Sequence, residues 1–247
     1  MTGSFRIGTG SDLAAAGRGP QTRGMSRALI VIDVQESFTA LPIWAHTSNP
    51  DIVADVNTLV GHARAQGDLV VWVLHAEPGS GGPFDPASGL VRYQDGLEPL
   101  PGEPELRKTS HNAFTTTNLG QILTERGVRE VAICGIRTEQ CCETTARLAS
   151  DLGYAVTFVT DATATNPIPH RDLPAEAGED ALTPEQILAD PRTLGSAQIL
   201  ERVEYALAGR FARIATVAEV VGEPGGAGTA HPTAAGAVAE TADAGAW

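Results

Sequence analysis

Lysine is almost absent from this chain: of its 17 lysine and arginine residues only Lys108 is a lysine. Arginine offers a rigid, permanently charged fork of donors, whereas lysine is a compact ammonium on a flexible stem whose pKa moves with its surroundings. A sequence that uses arginine everywhere else makes Lys108 a candidate for chemistry, with a lone solvated surface charge as the plainer alternative. Positive charge as a whole is also scarce. The formal net charge of −13 excludes a non-specific binder of nucleic-acid backbones, which needs Lys and Arg to neutralise phosphates. A small molecule or a protein is the partner expected. The three cysteines, Cys134, Cys141 and Cys142, are odd in number and fall in one short segment. That excludes an extracellular disulfide framework and points to reduced thiols in a cytoplasm. No apolar run approaches the roughly 20 residues that span a bilayer, and the first 24 residues lack a signal-peptide core. No membrane partner is expected.

With 247 residues, 42% of them hydrophobic, the chain can bury a substantial core, and one domain is the simplest reading. Residues 1–24, rich in Gly, Ser, Thr and Arg, and 222–247, rich in Gly, Ala, Pro and Thr, bury too little apolar surface to offset ordering entropy and read as disordered tails. The domain then spans 25–221. Within it Ala28 to Val34 is nearly all apolar, the mark of a strand covered on both faces. Ile52, Val53, Val56, Leu59 and Val60 make one stripe of a helix over 51–66, which Gly67 stops. The alternation repeats with strands at 69–74, 130–134, 155–159 and 212–217 and helices at 118–126, 139–152 and 196–208. Such alternation predicts right-handed crossovers and a three-layer α/β/α domain around a mostly parallel, Rossmann-like sheet of about six strands.

Ligands of these sheets bind beyond the carboxyl ends of the strands. Asp33 ends the first strand, Lys108 lies on the connection before Asn118, and Cys141 lies on the turn into the helix after the Val131 strand. A cysteine at a helix N-terminus near a cation has its pKa lowered, and a neighbouring carboxylate can take the thiol proton and return it to a leaving amine. Taken singly each residue has a blander role: Asp33 as a turn residue, Cys134 and Cys142 as core. Their combination is the informative signal.

Three stretches carry a family resemblance: Leu29-Ile30-Val31-Ile32-Asp33-Val34-Gln35-Glu36-Ser37-Phe38; Lys108-Thr109-Ser110-His111-Asn112-Ala113-Phe114; and Cys134-Gly135-Ile136-Arg137-Thr138-Glu139-Gln140-Cys141-Cys142-Glu143-Thr144-Thr145-Ala146. From about Ala28 to Val221 the chain resembles the isochorismatase-like cysteine hydrolases, a superfamily containing nicotinamidases, N-carbamoylsarcosine amidohydrolases, ureide and biuret hydrolases and isochorismatases. The resemblance implies Asp33 as acid/base, Lys108 as third triad member and Cys141 as nucleophile. It also implies a cis peptide at Ile136-Arg137, an oxyanion hole from the Arg137 and Cys141 backbone N–H groups, and a homo-oligomer, dimer or tetramer.

Nicotinamidases of this superfamily hold a metal through an Asp-x-His pair and further histidines. The segment 41–47 has no such pair, and His75 lacks recognisable partner ligands, so no metal and no cofactor are expected. Phe38, Trp44, His111 and Glu139 are the candidate substrate-binding residues, beside Arg137. The loop 79–83 and the segment 167–190 read as rim or lid. The expectation is a cytoplasmic hydrolase of a small amide, ureide or lactam that works through a thioester. A vinyl-ether hydrolase of the isochorismatase kind and a catalytically silent binding protein of the same fold remain the alternatives.

Overall fold

A computed structural model of the chain describes residues 27–173 and 182–222. The apolar runs form β1 (Arg27–Ile32), β2 (Leu69–His75), β3 (Glu105–Lys108), β4 (Glu130–Ile136), β5 (Ala155–Ala164) and β6 (Arg213–Ala215). They line up in the order β3-β2-β1-β4-β5-β6 in a single sheet, and every neighbouring pair is parallel. Between and after the strands run α1 (Glu36–Thr39), α2 (Ile52–Gln66), α3 (Leu119–Glu125), α4 (Glu143–Asp151), α5 (Pro184–Ala189), α6 (Ser196–Leu207) and α7 (Val217–Gly222).

The side-chain period of two along a strand divides the core between two faces. Ala28, Ile30 and Ile32 of β1 pack with Leu119 and Leu123 of α3, Ala146 and Ala149 of α4, and Val203 and Leu207 of α6. Leu29 and Val31 point the other way, onto Ile52, Val56, Leu59 and Val60 of α2 and Val220 of α7. This is the three-layer α/β/α arrangement expected from the sequence. Trp72 and Phe158 are fully buried, and each side chain of that size stabilises by about 1.5–3 kcal/mol when removed from water.

Several element boundaries differ from the sequence reading. Lys108 closes an edge strand and does not lie on a connection. At four residues, with Glu105 and Arg107 exposed, β3 is short and charged, as edge strands commonly are, and shows little apolar pattern. The helix read over 139–152 divides into a π-helical turn, Thr138–Cys142, followed by α4. β5 runs on to Ala164 because the register slips between Ile133 and Gly135, after which Gly135 and Ile136 pair with Thr163 and Ala164. β6 stops at Ala215 because Thr216 caps α7: the Glu219 N–H donates to Thr216 Oγ1 at 3.2 Å and the Thr216 N–H to Glu219 Oε2 at 2.8 Å. The tails read from composition lie outside the described residues, apart from Gly222, which closes α7; residues 174–181 of the proposed rim segment also lie outside them.

A single glycine controls how closely two central strands approach beside the Cys141 turn. Gly135 has φ +128°, and a Cβ there would lie 1.9 Å from the backbone oxygen of Ile32. Only a residue without a side chain lets β4 pass β1 this closely just before the turn that carries Cys141.

Candidate active site

The strand order reverses between β1 and β4, since β2 follows β1 on one side of it while β4 adjoins the other. Crevices of open parallel sheets form at the carboxyl ends of strands beside such a reversal. Four strand ends deliver side chains there. Asp33 follows β1 with φ +54°, a left-handed conformation that Asp tolerates better than most residues, and its N–H donates to the Val73 carbonyl at 2.8 Å. His75 ends β2, Lys108 ends β3, and the π-helical turn after β4 carries Cys141. The Ile136–Arg137 peptide bond at the start of that turn is cis.

The three residues singled out in the sequence meet in space. Lys108 Nζ lies 2.7 Å from Asp33 Oδ2 and donates to Cys141 Sγ at 3.3 Å; the Asp33 carboxylate also faces the Cys141 thiol. His75 Nδ1 lies 3.3 Å from the same ammonium. Asp33 and Lys108 are wholly buried, while Cys141 retains 7% exposure. Of the three, only Cys141 keeps any exposed surface.

Burial sets the electrostatics. It lifts the Asp33 carboxyl above its ordinary value, with Lys108 pulling the other way. Burial opposes the charge on Lys108, yet Asp33 and Cys141 outweigh it and hold the ammonium above its ordinary value. The Cys141 thiol is pushed up to about 12, by burial first and by Asp33 second, against Lys108. This corrects the sequence expectation of a lowered thiol. Cys141 sits inside a π turn, buried beside a carboxylate, so the helix-terminus argument does not transfer.

A cavity of about 880 Å³ is lined by Glu77, which contacts His75, and by Arg137 at the start of the Cys141 turn, but by none of Asp33, His75, Lys108 and Cys141 themselves. Its walls include Leu41, Pro42, Ile43 and Phe84, part of the 79–83 loop, and Leu182 to Glu185 with Ile187 around the start of α5. Both segments read as rim therefore contribute to it. Among the aromatic candidates, Phe38 is buried behind Phe84, with ring centroids 4.9 Å apart and an edge-on approach, and Trp44 packs on Phe38 at 5.7 Å. The lining comes from their neighbours Leu41 to Ile43. His111 is exposed, its ring 6.3 Å from that of His75. Glu139 is half-buried on the π turn, two residues before Cys141. Cys134 and Cys142 are both fully buried in the apolar core. No group of three or more His, Cys, Asp or Glu side chains that could hold a metal ion occurs among the described residues.

Residues 27–176 match the Isochorismatase domain family. The chain belongs to the isochorismatase family. It is 34% identical over 189 residues to a streptothricin hydrolase of Streptomyces noursei, an alignment covering 75% of this chain and 71% of that protein. Among solved structures, an isochorismatase from Pseudomonas putida KT2440 superposes with a TM-score of 0.64 at 31% identity, covering 82% of this chain and 93% of the other. A cysteine hydrolase from Pseudomonas syringae pv. phaseolicola gives 0.65 at 25% identity, over 83% and 94%. This isochorismatase-family hydrolase domain contains no helix, among the described residues, long and apolar enough to cross a membrane.

Two parts of the hydrolase site escape sequence reasoning. His75 reads in the sequence only as a candidate metal ligand, although the strand-end rule that locates Asp33 applies to it equally. Gln35 falls within the first motif stretch but carries no role there. Its side-chain carbonyl accepts from the His75 N–H at 2.8 Å and its amide donates to the His75 carbonyl at 3.0 Å, which fixes the end of β2 against the turn after β1.

Proposed function

We propose that this protein hydrolyses a C–N bond of a small amide, ureide or lactam through a thioester on Cys141. The observation that carries the reading is the buried contact set in which one ammonium bridges a carboxylate and a thiol. A thiol pushed up to about 12 does not release its proton to water at neutral pH. Catalysis requires only an internal transfer from Cys141 Sγ to Asp33. Before the transfer the site holds an ammonium, a carboxylate and a neutral thiol; after it, an ammonium, a thiolate and a neutral acid. The count of buried charges is unchanged, so low polarity does not penalise this step as it penalises ionisation to solvent. The raised Asp33 carboxyl is the better acceptor for it.

The thiolate then attacks the carbonyl carbon, forming the C–S bond, and the backbone N–H groups of Arg137 and Cys141 receive the developing oxyanion. Asp33 gives its proton to the departing nitrogen as the C–N bond breaks. Water, deprotonated by Asp33, attacks the thioester; the acid leaves and the thiol is restored. Lys108 stays charged throughout and keeps both partners in place. The apolar wall from Leu41 to Ile43 with Phe84 takes the body of the substrate.

Streptothricin, on which a relative one-third identical acts, is the first substrate to offer, followed by a panel of amides and ureides with amine and ammonia detection. A turnover that yields an acyl adduct on Cys141 by mass spectrometry, and that disappears in Cys141→Ala, supports the reading. Turnover of a vinyl ether retained by Cys141→Ala would replace it.

A further inference from the structure

We infer that His75 is a positioning residue: its Nδ1 accepts the third proton of the Lys108 ammonium, and the Glu77 carboxylate holds the imidazole in the tautomer that can do so. This role rests on the proposed triad of Asp33, Lys108 and Cys141. An ammonium has three donors and no acceptor, and a buried one needs a partner for each, because an unmet buried charge is costly. Asp33 Oδ2 at 2.7 Å, Cys141 Sγ at 3.3 Å and His75 Nδ1 at 3.3 Å supply three. Asp33 and Cys141 alone would leave one buried N–H of the ammonium without an acceptor, and Nζ could regain one only by shifting out of its place between Asp33 and Sγ. The third acceptor removes that pull and holds Nζ where its donor faces Sγ.

The tautomer follows from the other ring nitrogen. For Nδ1 to accept from an ammonium, the ring proton must sit on Nε2. Nε2 lies 3.3 Å from Glu77 Oε1, and an ionised carboxylate can only accept, so Glu77 selects the Nε2–H form. The ring is held from both sides: Gln35 clasps the His75 backbone, and the Phe84 ring meets the imidazole edge-on at 5.9 Å. Burial and the adjacent Lys108 charge both disfavour an imidazolium here, against the pull of Asp33 and Glu77. Glu77 is half exposed and lines the cavity. A continuous path of Glu77, His75 and Lys108 therefore joins the cavity wall to the thiol, and a ligand group that engages Glu77 acts on the orientation of Lys108.

Two measurements on the intact protein test this. In ¹⁵N-imidazole NMR of the protein at neutral pH, His75 is expected as the neutral Nε2–H tautomer; an Nδ1–H tautomer or an imidazolium would overturn the inference. The second is the rate of Cys141 carbamidomethylation by iodoacetamide, followed by peptide mass mapping from neutral to alkaline pH. His75→Leu and His75→Gln remove an acceptor at the Nδ1 position and are expected to slow modification about tenfold or more, the scale of a lost hydrogen bond to a charge. His75→Asn, whose amide oxygen can occupy the Nδ1 position, is expected to restore most of the rate. If Lys108→Ala slows the reaction while His75→Leu and His75→Gln match wild type, the role of His75 is rejected and the triad stands. If Lys108→Ala also matches wild type, the triad reading fails with it. Circular dichroism checks each fold, and if His75→Leu does not fold, the contrast between His75→Asn and His75→Gln decides.

Discussion

Two buried carboxylates in and beside the cluster of Asp33, Lys108 and Cys141 keep very different company. Asp33 meets a single lysine with no exposed surface on either side chain. Glu143, two residues after Cys141, accepts Arg147 Nε and Nη2 through Oε1 at 2.9 and 2.8 Å and Arg202 Nη1 through Oε2. Its own side chain is 6% exposed, but those of Arg147 and Arg202 are 34% and 58% exposed. Arg147 also covers the Phe211 ring at 4.4 Å. The arginine cluster ties α4 to α6 with forked, directional bonds, and its cations can return to water. The lysine cluster cannot: its ammonium is wholly buried, and its three protons are divided among a carboxylate, a thiol and an imidazole. Fixed forks suit anchoring, whereas a point charge that several acceptors share suits a site where a proton has to move between two of them.

Exchanging the cations sharpens the contrast most. Lys108→Arg should reduce turnover by about a hundred- to a thousandfold, the scale of a removed catalytic donor, because a planar fork cannot serve three acceptors arranged around one nitrogen. The check is steady-state kinetics on whichever amide is turned over. Arg147→Lys should leave turnover within about twofold and lower stability by at most about 1 kcal/mol, the scale of an exposed ion pair.

The next effect is thermodynamic. Asp33→Leu strands a buried ammonium, and breaking a buried pair by removing one partner costs about 3–5 kcal/mol. Glu143→Leu frees two arginines that reach solvent, so a loss of about 1–2 kcal/mol is expected. Urea denaturation measures both, and equal losses would erase the distinction drawn between the clusters.

The smallest effect is on pH dependence. Burial, then Lys108, lowers the His75 pKa from its ordinary 6.5. Below that value the unfolded chain binds a proton that the folded protein resists. This contribution to stability is therefore present above about 6.5 and is lost as pH falls through the lower folded value. Lys108, Asp33 and Glu77 are the charges that act on this ring. His75→Asn should flatten the decline in melting temperature over that acidic window, and an unchanged profile would place the titration elsewhere.

Much of the fold is legible in the sequence because apolar runs report burial directly. β1 and β2 are covered on both faces and read as continuous hydrophobic stretches, and α2 ends where Gly67 takes a left-handed φ of +74°. β3 escapes such a reading because an edge strand of Glu105, Leu106, Arg107 and Lys108 pairs through backbone groups that leave no pattern in the side chains. The meeting of Asp33, Lys108 and Cys141 is legible for another reason: the strand-end rule gathers them on one side of the sheet, and the family resemblance points to the same three residues. Phe38 and Trp44 stand out in the sequence as aromatics near the site, yet Phe38 supports Phe84 from behind. Which of two neighbouring side chains reaches a cavity depends on packing that linear order does not contain.

The sequence by itself determined the alternating architecture and the one lysine, because these are properties of residue type and order. Only the tertiary structure decided the direction of the Cys141 pKa, the acceptor for the third Lys108 proton and the walls of the cavity. Each of these depends on desolvation and on atoms brought within a few ångströms from distant parts of the chain. The strength and even the sign of electrostatic effects follow from that enclosure.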